Sequence, residues 1–301
     1  MKIRLMPLNC HIPNLALMKL SAWHKSQGDH VSLDEDNPDI IYISSPFTQA
    51  DKIDRSSYFP DTKIIYGGYG FNKIQLPYEI EHIMPDYSIV KDLAKYCDDR
   101  DAINKYFKND FSLGYTTRGC IRTCKKPPCL VPGMEGRMRR NSPIEEFHHP
   151  DHKKIMLLDN NILADRKWFF RNADYLIENK LKLTETQGFD IRLIDVEIAN
   201  YISKIKFVKQ IHFALDSLSY SQKALDALNL LDDVGIKRYR LMFYMYGKDD
   251  LQDLITRFNL VTEWGCDPFV MPDKDATTDI KRFARFVNKR VYKSCEWKDY
   301  R

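Results

Sequence analysis

Between residues 113 and 271 the chain repeats one pattern six times: a short apolar run of strand character, a polar turn, and in most cases a helical stretch. The runs are Leu113 to Arg118, Lys154 to Leu158, Leu181 to Thr186, Gln210 to Leu215, Tyr239 to Met245, and Pro268 to Met271. The clearest intervening helix is Gln222 to Asp233, where Ala224, Leu225, Leu228 and Leu231 fall on one face and read as core packing. Such βα alternation implies a parallel sheet, open or rolled into a barrel. In barrels of this kind chemistry gathers at the carboxyl ends of strands. Each run here is followed at once by polar or glycine-rich groups: Gly119-Cys120, Asp159-Asn160-Asn161, Gln187-Gly188 with Asp190 and Arg192, Asp216-Ser217, Tyr246-Gly247, and Pro272-Asp273.

The amino-terminal part predicts a smaller α/β domain over residues 1–85. Its candidate strands are Lys2 to Leu8, Val31 to Leu33, Ile40 to Ser44 and Lys63 to Tyr66, with a helix from Asn14 to Gln27 that stops at Gly28. The glycines after Tyr66 read as a strand-to-turn feature rather than a phosphate cradle. Residues 86–112 turn polar and predict a helical linker, residues 113–275 carry the barrel pattern, and residues 276–301 end in an amphipathic helix around Phe283 to Arg290 that closes it. With 44% hydrophobic and 29% charged residues the chain is globular in character. No apolar run approaches the roughly 20 residues of a spanning helix, so neither a transmembrane segment nor a membrane partner is expected. The first residues lack the basic and apolar stretches of a secretion signal, which predicts a cytoplasmic protein. A net charge of +4 neither demands nor excludes nucleic acid.

Seven cysteines, an odd number, argue against a disulfide framework, and three of them stand within ten residues. Cys120-Ile-Arg-Thr-Cys124-Lys-Lys-Pro-Pro-Cys129 is a C-x3-C-x4-C run after the first strand of the series. Three thiolates on one loop suit three irons of a [4Fe–4S] cube and leave the fourth iron without a protein ligand. Lys125, Lys126, Arg118 and Arg122 would offset the thiolate charge, and Pro127 and Pro128 stiffen the loop. The competing reading is a non-catalytic Cys3His zinc module, completed by His149 or His152, whose basic loop of Arg137, Arg139 and Arg140 binds nucleic acid. Cys266, just before the last strand, reads as a buried structural thiol.

Four segments carry a resemblance: Gly114 to Cys124, Leu157 to Asn161, Gln187 to Arg192, and Asp267 to Pro272. Together they are similar to radical S-adenosylmethionine (SAM) enzymes, in the subgroup whose barrel follows a cobalamin-binding-like amino-terminal domain. The resemblance implies a partial (β/α)6 TIM-like barrel preceded by a Rossmann-like α/β domain. It also implies that Cys120, Cys124 and Cys129 hold a [4Fe–4S] cluster, whose open iron is chelated by SAM and from which an electron cleaves SAM to a 5′-deoxyadenosyl radical. That radical abstracts hydrogen from a substrate, here unidentified, and an external electron donor is a required partner. By the same resemblance Asn160 or Asn161 meets the SAM amino group, and Gln187, Asp190 and Arg192 meet the ribose hydroxyls and the methionyl carboxylate. The stretch around Tyr246 lies against adenine. The family's usual spacing is C-x3-C-x2-C with an aromatic before the last cysteine; this chain has two more residues there, with Pro128 in the aromatic's place. The first domain lacks the Asp-x-His-x-x-Gly signature that supplies a lower-axial histidine, which argues against cobalamin. Only Cys10 and Cys97 precede the barrel, and beyond the cysteine loop only Cys266 and Cys295 are present, which argues for a single cluster.

Overall fold

The computed structural model describes residues 1–46, 61–71, 75–97, 110–124 and 129–300. Lys125, Lys126, Pro127 and Pro128 of the cysteine loop, and residues 98–109 of the expected linker, lie outside the described residues. The protein is a mixed α/β chain with parallel sheets, and it divides into two compact units. The first comprises Met1–Gly114 with Ser142–Ile155, the second Tyr115–Asn141 with Met156–Arg301.

In the first unit, β1 (Lys2–Pro7), β2 (His30–Ser32), β3 (Ile40–Ser44) and β4 (Lys63–Gly67) form a parallel sheet in the order β2-β1-β3-β4. Strand alternation sets the burial: Ile3 and Leu5 of β1 and Ile41 and Ile43 of β3 are closed off from solvent. The helix Leu15–Ser26 starts where the sequence supplies a cap, since the Asn14 side chain accepts the Leu17 N–H at 3.2 Å. The same side chain donates to Ser44 Oγ at 2.9 Å and so ties the helix start to the end of β3. Leu17 and Met18 bury the inner face of that helix. The described part of the expected linker holds short helical turns, Tyr87–Ile89 and Val90–Ala94, and a single bridge from Cys97 to Cys10, before β5 (Phe111–Gly114).

The expected strand Leu113 to Arg118 is broken. β5 stops at Gly114, and the chain resumes as β6 (Thr117–Arg118), which pairs antiparallel with β7 (Arg139–Arg140). The cause lies at Thr116 and Thr117, whose N–H and hydroxyl groups all turn onto the Asp159 carboxylate, at 2.5 to 2.9 Å. Groups spent on a side chain cannot extend a ladder.

β8 (Lys154–Leu157) carries the chain from the first unit into the second, and β9 (Lys182–Glu185) and β10 (Lys206–Phe207) continue outward from it. β11 (Ile211–Ala214), β12 (Leu241–Gly247) and β13 (Asp267–Pro272) form a parallel three-stranded sheet in that order. Between β9 and β11 the backbone keeps one parallel bridge, Phe189 to Phe213, with the Phe189 N–H donating to His212 O at 2.8 Å. Four helices here begin at side-chain caps: Arg166–Glu178 at Asp165, Val196–Lys204 at Asp195, Leu251–Glu263 at Asp250, and Thr278–Asn288 at Thr277. A further helix, Ser221–Asp233, buries Ala224, Ala227, Leu228 and Leu231. β10 was not expected, because two residues carry no periodicity. Among the described residues no helix is long and apolar enough to cross a membrane.

Candidate functional site

The cysteine loop springs from the two-residue ribbon of β6 and β7, and glycine lets it close. Gly119 adopts φ +76°, and a Cβ on it would stand 2.5 Å from Arg137 O. Only glycine accepts both the left-handed backbone and the close approach. The Cys120 N–H then reaches Gly136 O at 3.4 Å. Glu135, its side chain buried, closes the loop from inside: it accepts the Gly119 N–H at 2.7 Å, an Arg118 N–H at 3.2 Å and the Asn160 amide at 2.8 Å.

All three loop thiols are free; those of Cys120 and Cys124 are half-buried and Cys129 is exposed. The Cys129 N–H donates to Cys124 O at 3.2 Å, and Cys120 Sγ lies 3.4 Å from the Arg122 N–H and 3.9 Å from Asn161 Nδ2. Desolvation and then the neighbouring Cys124 and Cys120 hold the Cys129 thiol above its ordinary value. A bound cation would reverse that effect and favour the Cys129 thiolate. As the side chains stand, no three His, Cys, Asp or Glu among the described residues are gathered into a metal-holding group.

The end of β8 supplies the next wall. Asp159 is buried and wholly engaged by Thr116 and Thr117, so it acts as a clamp that fixes its two neighbours. Asn160 turns to Glu135, and Asn161 turns to Cys120 and to Asp190 Oδ2, at 3.3 Å. Asn161 Oδ1 is buried with no hydrogen-bond partner, an acceptor left open beside the thiols.

The end of β9 supplies the third. Gly188, at φ +77°, brings the chain against β11, and Asp190 follows. Asp190 accepts from Arg192 Nε at 2.6 Å, Arg192 Nη2 at 3.2 Å and Arg122 Nε at 2.9 Å. Burial pushes its carboxyl up, but the two guanidiniums outweigh this and hold it below the usual carboxylate range. Arg192 lies over the Tyr220 ring, 4.6 Å from its centroid. Tyr220 Oη accepts the Asp216 N–H at 2.6 Å, and Asp216 Oδ1 accepts the Tyr246 N–H at 2.9 Å.

No family model and no curated protein sequence matches this chain.

The fold thus joins Cys120, Asn161, Asp190 and Arg192 in one network, links Asn160 to it through Glu135, and reaches Tyr246 through Tyr220 and Asp216. Gln187 is exposed and makes no hydrogen bond to this network. Glu135 and Tyr220 were not legible as site residues, because each reaches the cluster through loop closure and neither stands in a motif. Cys266 is buried and its thiol is pushed up to about 12, an inert packing residue. His149 and His152 belong to the first unit. There His152 Nδ1 lies 2.9 Å from Ser112 Oγ, and burial lowers its ring to about 4. Arg140 is engaged by Asp165 through two hydrogen bonds.

Proposed function

We propose that the chain is a radical SAM enzyme whose Cys120, Cys124 and Cys129 hold one [4Fe–4S] cluster. The observation that carries this reading is a loop of three free thiols whose Cys120 meets Asn161 and, through it, Asp190 and Arg192, groups from the ends of β8 and β9. The donor set fits: three thiols on one loop leave one iron of a cube open. Consecutive parallel strands from β9 through the Phe189 bridge to β13 support a partial (β/α)6 barrel. The β2-β1-β3-β4 order supports a Rossmann-like first domain, read as a scaffold without cobalamin.

When bound, the cluster supplies the electron that cleaves SAM reductively to the radical that takes hydrogen from substrate. The chain's own residues bind and orient. Asn161 offers its open Oδ1 to the SAM amino group, and Asn160, tied to Glu135, stands beside it. Arg192 spends Nε and Nη2 on Asp190 and keeps Nη1 for a carboxylate, while Tyr220 fixes the plane of the guanidinium. Asp190, held ionised, keeps Arg122 and Arg192 in place and has oxygen lone pairs for ribose hydroxyls.

Purification without oxygen, reconstitution with iron and sulfide, and assay with SAM and a strong reductant test this. About four irons per chain and formation of 5′-deoxyadenosine, both lost in Cys124→Ala, are the expected results. A colourless protein holding one zinc, with no iron and no SAM cleavage, would overturn the reading.

A further inference from the structure

The sheet of β11, β12 and β13 has two unlike faces. On one, Ile211, Phe213, Leu241, Phe243, Met245 and Val270 are sealed from solvent. On the other, the parallel register sets His212, Met242 and Asp267 in one row and Ala214, Tyr244 and Phe269 in the next, all of them partly buried, with the His212 side chain 16% exposed. A sheet in a helix-rich chain normally covers both faces. Here the second face carries polar groups that keep some access to solvent.

Their hydrogen-bonding states follow from their neighbours. His212 Nδ1 lies 3.2 Å from the Glu185 backbone oxygen, which can only accept, so Nδ1 carries the proton. Nε2 is then a bare acceptor, and no hydrogen bond engages it among the described residues. The Tyr244 hydroxyl is likewise unengaged, and burial pushes it up to about 12, so it remains a donor. The two rings lie 5.1 Å apart, and Phe269 stands edge-on to Tyr244 at 5.6 Å. Behind them Glu185, 4% exposed, accepts the His212 N–H at 2.6 Å through Oε1, while its buried Oε2 has no partner. Burial raises this carboxyl to about 8 and leaves it neutral at pH 7. The charged groups around the face are Lys209, which acts on His212, and Asp267, which is paired with Arg290 at 2.8 Å and with Gln210 at 2.7 Å. At its centre the face therefore offers one acceptor, one donor and aromatic rings, all uncharged.

We propose that this face binds a neutral planar ligand bearing both a hydrogen-bond donor and an acceptor, an aromatic amide being the simplest case. Its N–H donates to His212 Nε2, its oxygen accepts from the Tyr244 hydroxyl, and its ring packs on Tyr244 and Phe269. A charged ligand would give up hydration with no countercharge to meet it. The site uses no thiol and stands whether or not the cysteines hold a cluster.

The test is NMR on the full chain with ¹⁵N-labelled histidine at pH 7, using benzamide as the probe and benzoate and benzylammonium as charged counterparts of the same shape. The expected result is an Nδ1–H tautomer for His212, a shift of Nε2 on adding benzamide, and binding at least tenfold tighter than either ion. Tyr244→Phe, which removes one oxygen, should weaken benzamide binding several-fold, and His212→Phe should abolish the preference for the amide, with melting temperatures checked for both. An Nε2–H tautomer, no benzamide binding at 10 mM on the order of weak fragment affinities, equal binding of all three probes, or undiminished binding in a folded Tyr244→Phe variant would each overturn the proposal.

Discussion

Asp190 and Glu185 stand five residues apart on the segment that ends β9, and their side chains are closed off to the same degree, 7% and 5% exposed. They hold opposite charge states. Burial pushes both carboxyls up, but Asp190 faces the guanidiniums of Arg122 and Arg192 and is held ionised, whereas Glu185 meets backbone N–H groups and no cation and is pushed up to about 8. Equal burial thus leaves one carboxyl neutral where desolvation is unopposed by a cation and the other ionised where two cations oppose it. Here the difference separates two surfaces, a charged network beside the thiols and an uncharged face on the sheet of β11 to β13.

The strongest way to break the comparison is to neutralise Asp190. Asp190→Asn leaves two guanidiniums facing each other, and the expected loss at pH 7 is about 3 kcal/mol, the low end for removing one partner of a buried pair, because both arginines keep some contact with water. Urea unfolding measures it, and a loss below about 1 kcal/mol would show that Asp190 does not anchor the network.

The next effect runs through pH. The folded chain keeps the Glu185 proton up to about 8, while the unfolded chain releases it near the ordinary value of 4.5. Between those values the folded state binds the extra proton, so this group's contribution falls with rising pH, by up to about 1.4 kcal/mol per pH unit. Asp190 behaves in the opposite sense: its contribution is complete above the ordinary value of 3.8 and is lost as pH falls below it. Glu185→Gln should flatten the stability curve between pH 4.5 and about 8 and leave the limb below it intact. A curve unchanged between pH 5 and 8 on that substitution would mean that Glu185 is already ionised in the folded protein.

The smallest effect isolates the link between Arg192 and Tyr246. Tyr220→Phe keeps the ring under Arg192 but removes the acceptor of the Asp216 N–H, at an expected cost of about 1 kcal/mol. A variant as stable as the wild type would show that Tyr220 acts through its ring alone.

Much of the fold was legible in local patterns. The expected strand Ile40 to Ser44 matches β3 residue for residue, and the expected helix Gln222 to Asp233 lies within Ser221–Asp233. Asn14, placed at the start of an expected helix, is its cap. The failures are tertiary. Leu113 to Arg118 reads as one strand, yet Asp159, over forty positions away, captures Thr116 and Thr117 and splits it. Asn160 and Asn161 were expected to play interchangeable parts, and the structure separates them, one on Glu135 and one on Cys120 and Asp190.

By itself the sequence determined the α/β alternation, the places of most strands and helices, and the run of three cysteines after the first strand of the series, because periodicity, caps and spacing act over a few residues. Only the tertiary structure decided that Glu135 locks the cysteine loop, that Asp190 keeps its charge and Glu185 its proton, and that His212 and Tyr244 share one partly exposed sheet face. Those outcomes depend on which groups meet across long stretches of chain, and charge and desolvation respond to neighbours in space rather than in sequence.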